Sequence, residues 1–181
     1  MFSQDSIYIG NLTLSRKASI EIHWEPFFCY RPYSQFWEET DPLVDEPTHY
    51  LIDLLRRHQI KATWYVLGWL ADKRWDLMKL IRDNGHTIGY HSYYHVRDES
   101  DIPDDIPYRS PRWKSEKRLY SGGFWFRALP YWMSKKLVEQ SGTMFIHPHD
   151  VLFESPVKMW KRTVGLKTVR DKLERLCREV E

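Results

Sequence analysis

Two histidines four residues apart, His91 and His95, stand at and after the end of a short predicted strand, His86-Thr87-Ile88-Gly89-Tyr90-His91. That spacing could set two imidazoles on one side of a turn, as zinc-type ions are commonly held, or it could cap a surface turn. Two more predicted strands also finish in histidine, at His23 and His147. Glu21 lies between Ile20 and Ile22, and a carboxylate inside a core strand is costly to bury unless it is paired or functional. His147 opens the tetrapeptide His-Pro-His-Asp, which ends at Asp150. It reads as a turn whose imidazoles cap backbone groups, or as an imidazole whose protonation a carboxylate promotes. Cys29 and Cys177 are the only cysteines and have no paired spacing, so a metal here would use histidines and carboxylates.

The elements around these residues follow from periodicity. Residues 17–24 alternate apolar and polar, a strand with Glu21 and His23 on one side. Residues 25–47 hold four prolines and read as a long loop, which is uncommon inside a compact domain unless it is functional. A helix is expected over 48–59, a strand over 60–67, a helix over 69–84 stopped by Asn84-Gly85, and a strand over 86–91. Further along, 96–123 reads as loops, 130–140 as a short helix, 142–147 as a strand and 165–180 as a terminal helix. Strands alternating with helices predict an α/β protein with a parallel sheet. In such folds the ligand site lies at the carboxyl ends of the strands, where the three histidines fall.

Composition narrows the function classes. The 181 residues are expected to form a single domain over 1–181, and Lys+Arg of 27 against Asp+Glu of 25 is too balanced for a polyanion-binding surface, which disfavours nucleic acid. No apolar run is long enough to cross a bilayer and no signal segment is seen, so the expectation is a cytoplasmic protein. Aromatic residues make up 15% of the chain, an excess suited to a large core, to stacking on a flat ligand, or to both.

Taken in order, several segments resemble NodB-type polysaccharide deacetylases, carbohydrate esterase family 4. Gly85–His95, after the strand Lys61–Gly68, is similar to the family's second motif, whose two histidines bind a divalent metal. Tyr108-Arg109-Ser110-Pro111-Arg112-Trp113 resembles the family's arginine motif. The segments 121–131, 144–150 and 163–166 resemble a branch associated with exopolysaccharide gene clusters. The resemblance implies an abbreviated, distorted (β/α) barrel, since the middle of the chain is short for the family. It also implies a hydrolase that removes N-acetyl groups from a sugar or polysaccharide, with zinc as the expected metal and cobalt or nickel as substitutes.

Residue by residue, the resemblance implies His23, His91 and His95 as metal ligands and Glu21 as general base. It implies Arg109 as the residue holding that base ionised, and His147 as general acid. Trp24, Trp113, Phe124 and Trp125 are the expected sugar-stacking residues. The first motif departs from the family: where two acidic residues are expected, this chain has Glu21-Ile22-His23-Trp24-Glu25. That departure keeps a second class open, a relative that binds carbohydrate without catalysis. A third class, a phosphoester or other metallohydrolase, would show more acidic ligands for a second ion. The short barrel also leaves room for a homodimer.

Overall fold

The computed structural model describes residues 18–27, 42–95, 120–156 and 158–180. Four strands form its centre: β1 (Ser19–Trp24), β2 (Thr63–Val66), β3 (Thr87–Tyr90) and β4 (Thr143–Ile146). All pair in parallel, in the order β3-β2-β1-β4, so their carboxyl ends share one edge. The expected α/β class with a parallel sheet is what the structure shows. Among the described residues the sheet does not close into a barrel.

The helices cover this sheet. Helix α1 (Asp45–Arg57) begins earlier than its apolar period suggests, because Pro47 is tolerated in a first turn whose N–H groups have no helical partner. Asp45 and Glu46 at its start and Arg56 and Arg57 at its end complement the helix dipole. The helix expected over 69–84 is two helices, α2 (Gly68–Lys73) and α3 (Trp75–Asp83). Arg74 leaves the helical region between them, at φ −131° and ψ 52°, and its guanidinium pairs with Asp45 and Asp76. Periodicity alone does not reveal that break, since the apolar positions stay in phase across it.

Helices α4 (Gly123–Ala128) and α5 (Tyr131–Ser141) lead into β4, and α6 (Trp160–Thr163) leads into the terminal α7 (Leu166–Val180). Leu166, Val169, Leu173, Leu176 and Cys177 form the buried stripe of α7. Ile20, Ile22 and Trp24 on one face of β1 join Val169, Leu173, Leu176 and Cys177 of α7, and Leu51, Leu54 and Leu55 of α1, in one hydrophobic cluster. Burial of such side chains contributes roughly 1.5–3 kcal/mol each. The opposite parity of β1, Glu21 and His23, is left for the site.

Candidate active site

The β1 alternation does not stop with the strand. Glu25, one residue past Trp24, keeps the side of Glu21 and His23, and its side chain is completely buried. It meets the histidine pair there: Glu25 Oε1 lies 2.7 Å from His91 Nε2 and 3.3 Å from His95 Nε2. The pair is brought together by a bend rather than by helical spacing. Ser92 and His95 adopt positive φ, 66° and 61°, a conformation that costs non-glycine residues on the order of 1 kcal/mol and is kept where the surroundings impose it. The amides of Gly68 and Trp69 at the start of α2 donate to the carbonyls of Ser92 and Tyr93, and the Tyr93 hydroxyl donates to Asp72.

Burial alone would raise the pKa of Glu25, but hydrogen bonds from His91 and His95 and the charge of His147 outweigh it, holding the carboxyl well below the usual range. Glu25, His91 and His95 present one ligand atom each within 4.8 Å of one another. One carboxylate and two imidazoles, partly open to solvent through the histidines, form a donor set suited to a zinc-type ion with a remaining open position. These residues fit a divalent metal.

His23 stands beside this group rather than in it. Its ring lies between Phe145, stacked at 5.3 Å, and Tyr65, edge-on at 5.6 Å. Nδ1 is 3.9 Å from Glu25 Oε1, and Nε2 is 4.0 Å from Glu21 Oε2. Burial pushes its pKa down to about 4, so at neutral pH it is an uncharged imidazole between two carboxylates. The structure thus brings Glu25, which sequence reasoning passed over, to the His91–His95 pair, and sets His23 between Glu25 and Glu21.

At the end of β4, Pro148–Asp150 forms a short 3-10 turn that folds Asp150 back on His147. Asp150 Oδ2 accepts from the His147 backbone N–H at 3.0 Å and lies 2.8 Å from His147 Nδ1. So the carboxylate caps the backbone at the start of this turn. Burial would lower the His147 pKa, but its hydrogen bond to Asp150 and the Asp150 charge raise it. His149 stacks on His147 at 4.8 Å and is held neutral by burial, with its pKa lowered to about 3.

Behind Asp150 stands Arg127, a residue that sequence reasoning did not single out. Its Nε donates to Asp150 Oδ1 at 2.8 Å, and its Nη groups donate to the carbonyls of Lys161 and Val164. Burial opposes ionisation of Asp150, but the hydrogen bond from His147 and the charges of His147 and Arg127 overcome it. Glycines permit this packing. A Cβ on Gly165, at φ 73°, would collide with the Arg127 carbonyl, and one on Gly122 with the Phe145 carbonyl.

The proposed sugar-stacking residues separate. Trp24 is wholly buried and donates from Nε1 to Thr48 Oγ1 at 2.8 Å. It belongs to the core, because strand parity puts it with Ile20 and Ile22 and leaves no face for a sugar. Phe124 and Trp125 follow the glycine pair beside His147, in a line of edge-on rings with Tyr120 and Trp160. Trp160 is 64% exposed and Trp125 38%, so both rings have faces available. Arg109 and Trp113 lie outside the described residues.

A parallel α/β sheet with imidazoles and a carboxylate at its carboxyl edge is the class of protein defined so far, and comparison with known proteins narrows it. The polysaccharide deacetylase family model matches residues 39–116, which include the histidine pair and the arginine motif. The chain is 28% identical to the peptidoglycan-N-acetylmuramic acid deacetylase PdaA of Bacillus subtilis, over 55% of this chain and 48% of that protein. It is 31% identical to a peptidoglycan-N-acetylglucosamine deacetylase of Bacillus cereus, over 47% of this chain and 35% of that one. The matched stretches are thus less than half of these relatives' length. In fold, it is similar to the crystal structure of a Mycobacterium smegmatis protein assigned as a polysaccharide deacetylase, with a TM-score of 0.50 and 12% identity over 90% of this chain and 85% of that one. The resemblance read from the motifs is borne out: the chain is similar to polysaccharide deacetylases over residues 39–116 and shares their fold.

Proposed function

We propose that this chain is a metal-dependent hydrolase that removes acetyl groups from N-acetylated sugars of a glycan. The observation that carries the reading is the buried Glu25 carboxylate on the His91–His95 pair, with the His147–Asp150 pair at the neighbouring strand end. Glu25 supplies the acidic ligand that the altered first motif had left in doubt, which favours catalysis over sugar binding alone.

Glu25, His91 and His95 would hold a divalent ion, zinc for preference, which would supply Lewis-acid polarisation of a carbonyl and a lowered pKa for water. The chain's own groups handle the protons. His23, neutral and with Nδ1 toward Glu25, accepts the proton of the attacking water, while Glu21 behind Nε2 fixes its tautomer and stabilises the resulting charge. The water oxygen bonds to the acetyl carbon, the carbon–nitrogen bond breaks, and the proton on His147 Nε2 passes to the departing amine. Asp150 holds His147 protonated for that transfer. Trp125, Phe124 and Trp160 offer ring faces to the glycan beyond the reacting sugar.

The test is acetate release from N-acetylglucosamine oligomers by the chain before chelation, after it, and after zinc is restored. The proposal expects activity to vanish and return. Absence of stoichiometric zinc, cobalt or nickel binding would overturn it.

A further inference from the structure

The buried carboxylate at the end of β1 faces more imidazoles than one ion uses. His91 and His95 approach it from the end of β3, and His23, whose ring lies 5.1 Å from that of His91, stands 5.3 Å from His147 with the two rings nearly perpendicular. His23, Glu25 and His147 also present one ligand atom each within 4.8 Å of one another, and all three are buried. Glu25 is common to both groups.

Two features give this second group the character of a metal site. His147 Nδ1 is engaged by Asp150, and its Nε2 is buried with no hydrogen-bond partner among the described residues. An imidazole whose far nitrogen is held by a carboxylate has its tautomer fixed and its near nitrogen made more basic, the arrangement typical of metal-bound histidine. His23 has a looser counterpart: its Nε2 lies 4.0 Å from Glu21 Oε2 and its Nδ1 3.9 Å from Glu25 Oε1.

We infer that His23, Glu25 and His147 form a second divalent-cation site, sharing Glu25 with the Glu25–His91–His95 site, and that an ion bound there inhibits the chain. Carboxylate-bridged ions commonly sit about 3.5–4 Å apart. The inhibition rests on the proposed deacetylase reading: a metal on His147 Nε2 occupies the atom that carries the leaving-group proton, and one on His23 Nδ1 occupies the atom that accepts the water's proton. The second ion binds more weakly than the first, since it shares one carboxylate and meets a like charge at short range. Activity therefore rises as the first equivalent of metal is added and falls as the second binds.

The test is equilibrium dialysis of the metal-stripped full chain against cobalt(II), followed by the visible absorption of bound cobalt and by acetate release at each loading. Two cobalt ions per chain are expected, with His147→Gln and His23→Gln each retaining one and keeping a native near-ultraviolet circular dichroism spectrum. If one substitution unfolds the chain, the other gives the same reading. A single ion in the unsubstituted chain, a second ion that persists in the folded variants, or acetate release that holds steady through the second equivalent would overturn the inference. The two proposals fail separately. Acetate release with saturation at one ion removes the second site and keeps the deacetylase. Two ions lost one at a time as stated, with no acetate release at any loading, keep the second site and remove the deacetylase.

Discussion

The two halves of the site are built in opposite ways. Glu25, His91 and His95 meet at the ends of β1 and β3 through a bend with two left-handed residues, and both histidines keep some contact with solvent. At the end of β4, His147, Asp150 and Arg127 are buried and cross-linked, with the guanidinium bound to Asp150 and to the chain around α6. Under the proposed function, the first half takes up an ion from outside. The second is arranged to hold one proton on one nitrogen, which requires a carboxylate kept ionised in a place where burial opposes it. A ligand set can tolerate adjustment as the ion enters, whereas a proton donor tuned by a buried pair cannot.

The contrast can be broken from either side. The largest effect is expected from Glu25→Ala, which removes the shared carboxylate: acetate release should fall below detection and dialysis should find no ion at the histidine pair. Next, His147→Gln should lower kcat by about 10²–10⁴-fold, the usual range for loss of a general acid, while the first ion stays bound. Asp150→Asn removes what raises the His147 pKa. Because His147 must be protonated to act, the alkaline limb of the kcat profile should move to lower pH.

Stability effects follow. Arg127→Met leaves a buried carboxylate without its guanidinium and should cost about 3–5 kcal/mol in urea denaturation, the range for breaking one partner of a buried pair. The smallest effect belongs to the seam between α1 and α7, where Glu174 pairs with Arg57 and lies 3.0 Å from His58 Nε2. Hydrogen bonds from Arg57 and His58 lower its pKa to about 2. A depressed carboxylate stabilises the fold above its unfolded value, and that contribution is lost as pH falls toward about 2. Solvent screens this pair, so Glu174→Gln should change stability at neutral pH by at most about 1 kcal/mol.

Much of this was legible in the sequence, and the misses have physical causes. Alternation locates β1, and the histidines at the ends of β3 and β4 mark the candidate site's edge of the sheet. The motif order carried the family resemblance. Glu25 was passed over because Pro26 and the prolines beyond it read as the start of a loop, yet the two-residue period that joins Glu21 to His23 runs on to it. The same parity argues Trp24 into the core, against its placement among sugar-stacking residues. Arg127 left no signal of its own: it sits among aromatics in a short helix, and its partners, Asp150 and the carbonyls near α6, are brought to it only by the tertiary fold. The break at Arg74 is equally silent, since the apolar positions stay in phase across it and one partner of its guanidinium, Asp45, lies in another helix.

The central claim is that Glu25 and the His91–His95 pair hold the ion on which hydrolysis depends. Its most direct test is acetate release from an N-acetylglucosamine oligomer by the metal-stripped chain given one equivalent of zinc, beside Glu25→Gln treated identically. Restored activity in the unsubstituted chain, with neither bound zinc nor activity in a folded Glu25→Gln variant, is the predicted result. A Glu25→Gln chain that binds zinc stoichiometrically and releases acetate at the unsubstituted rate would contradict it.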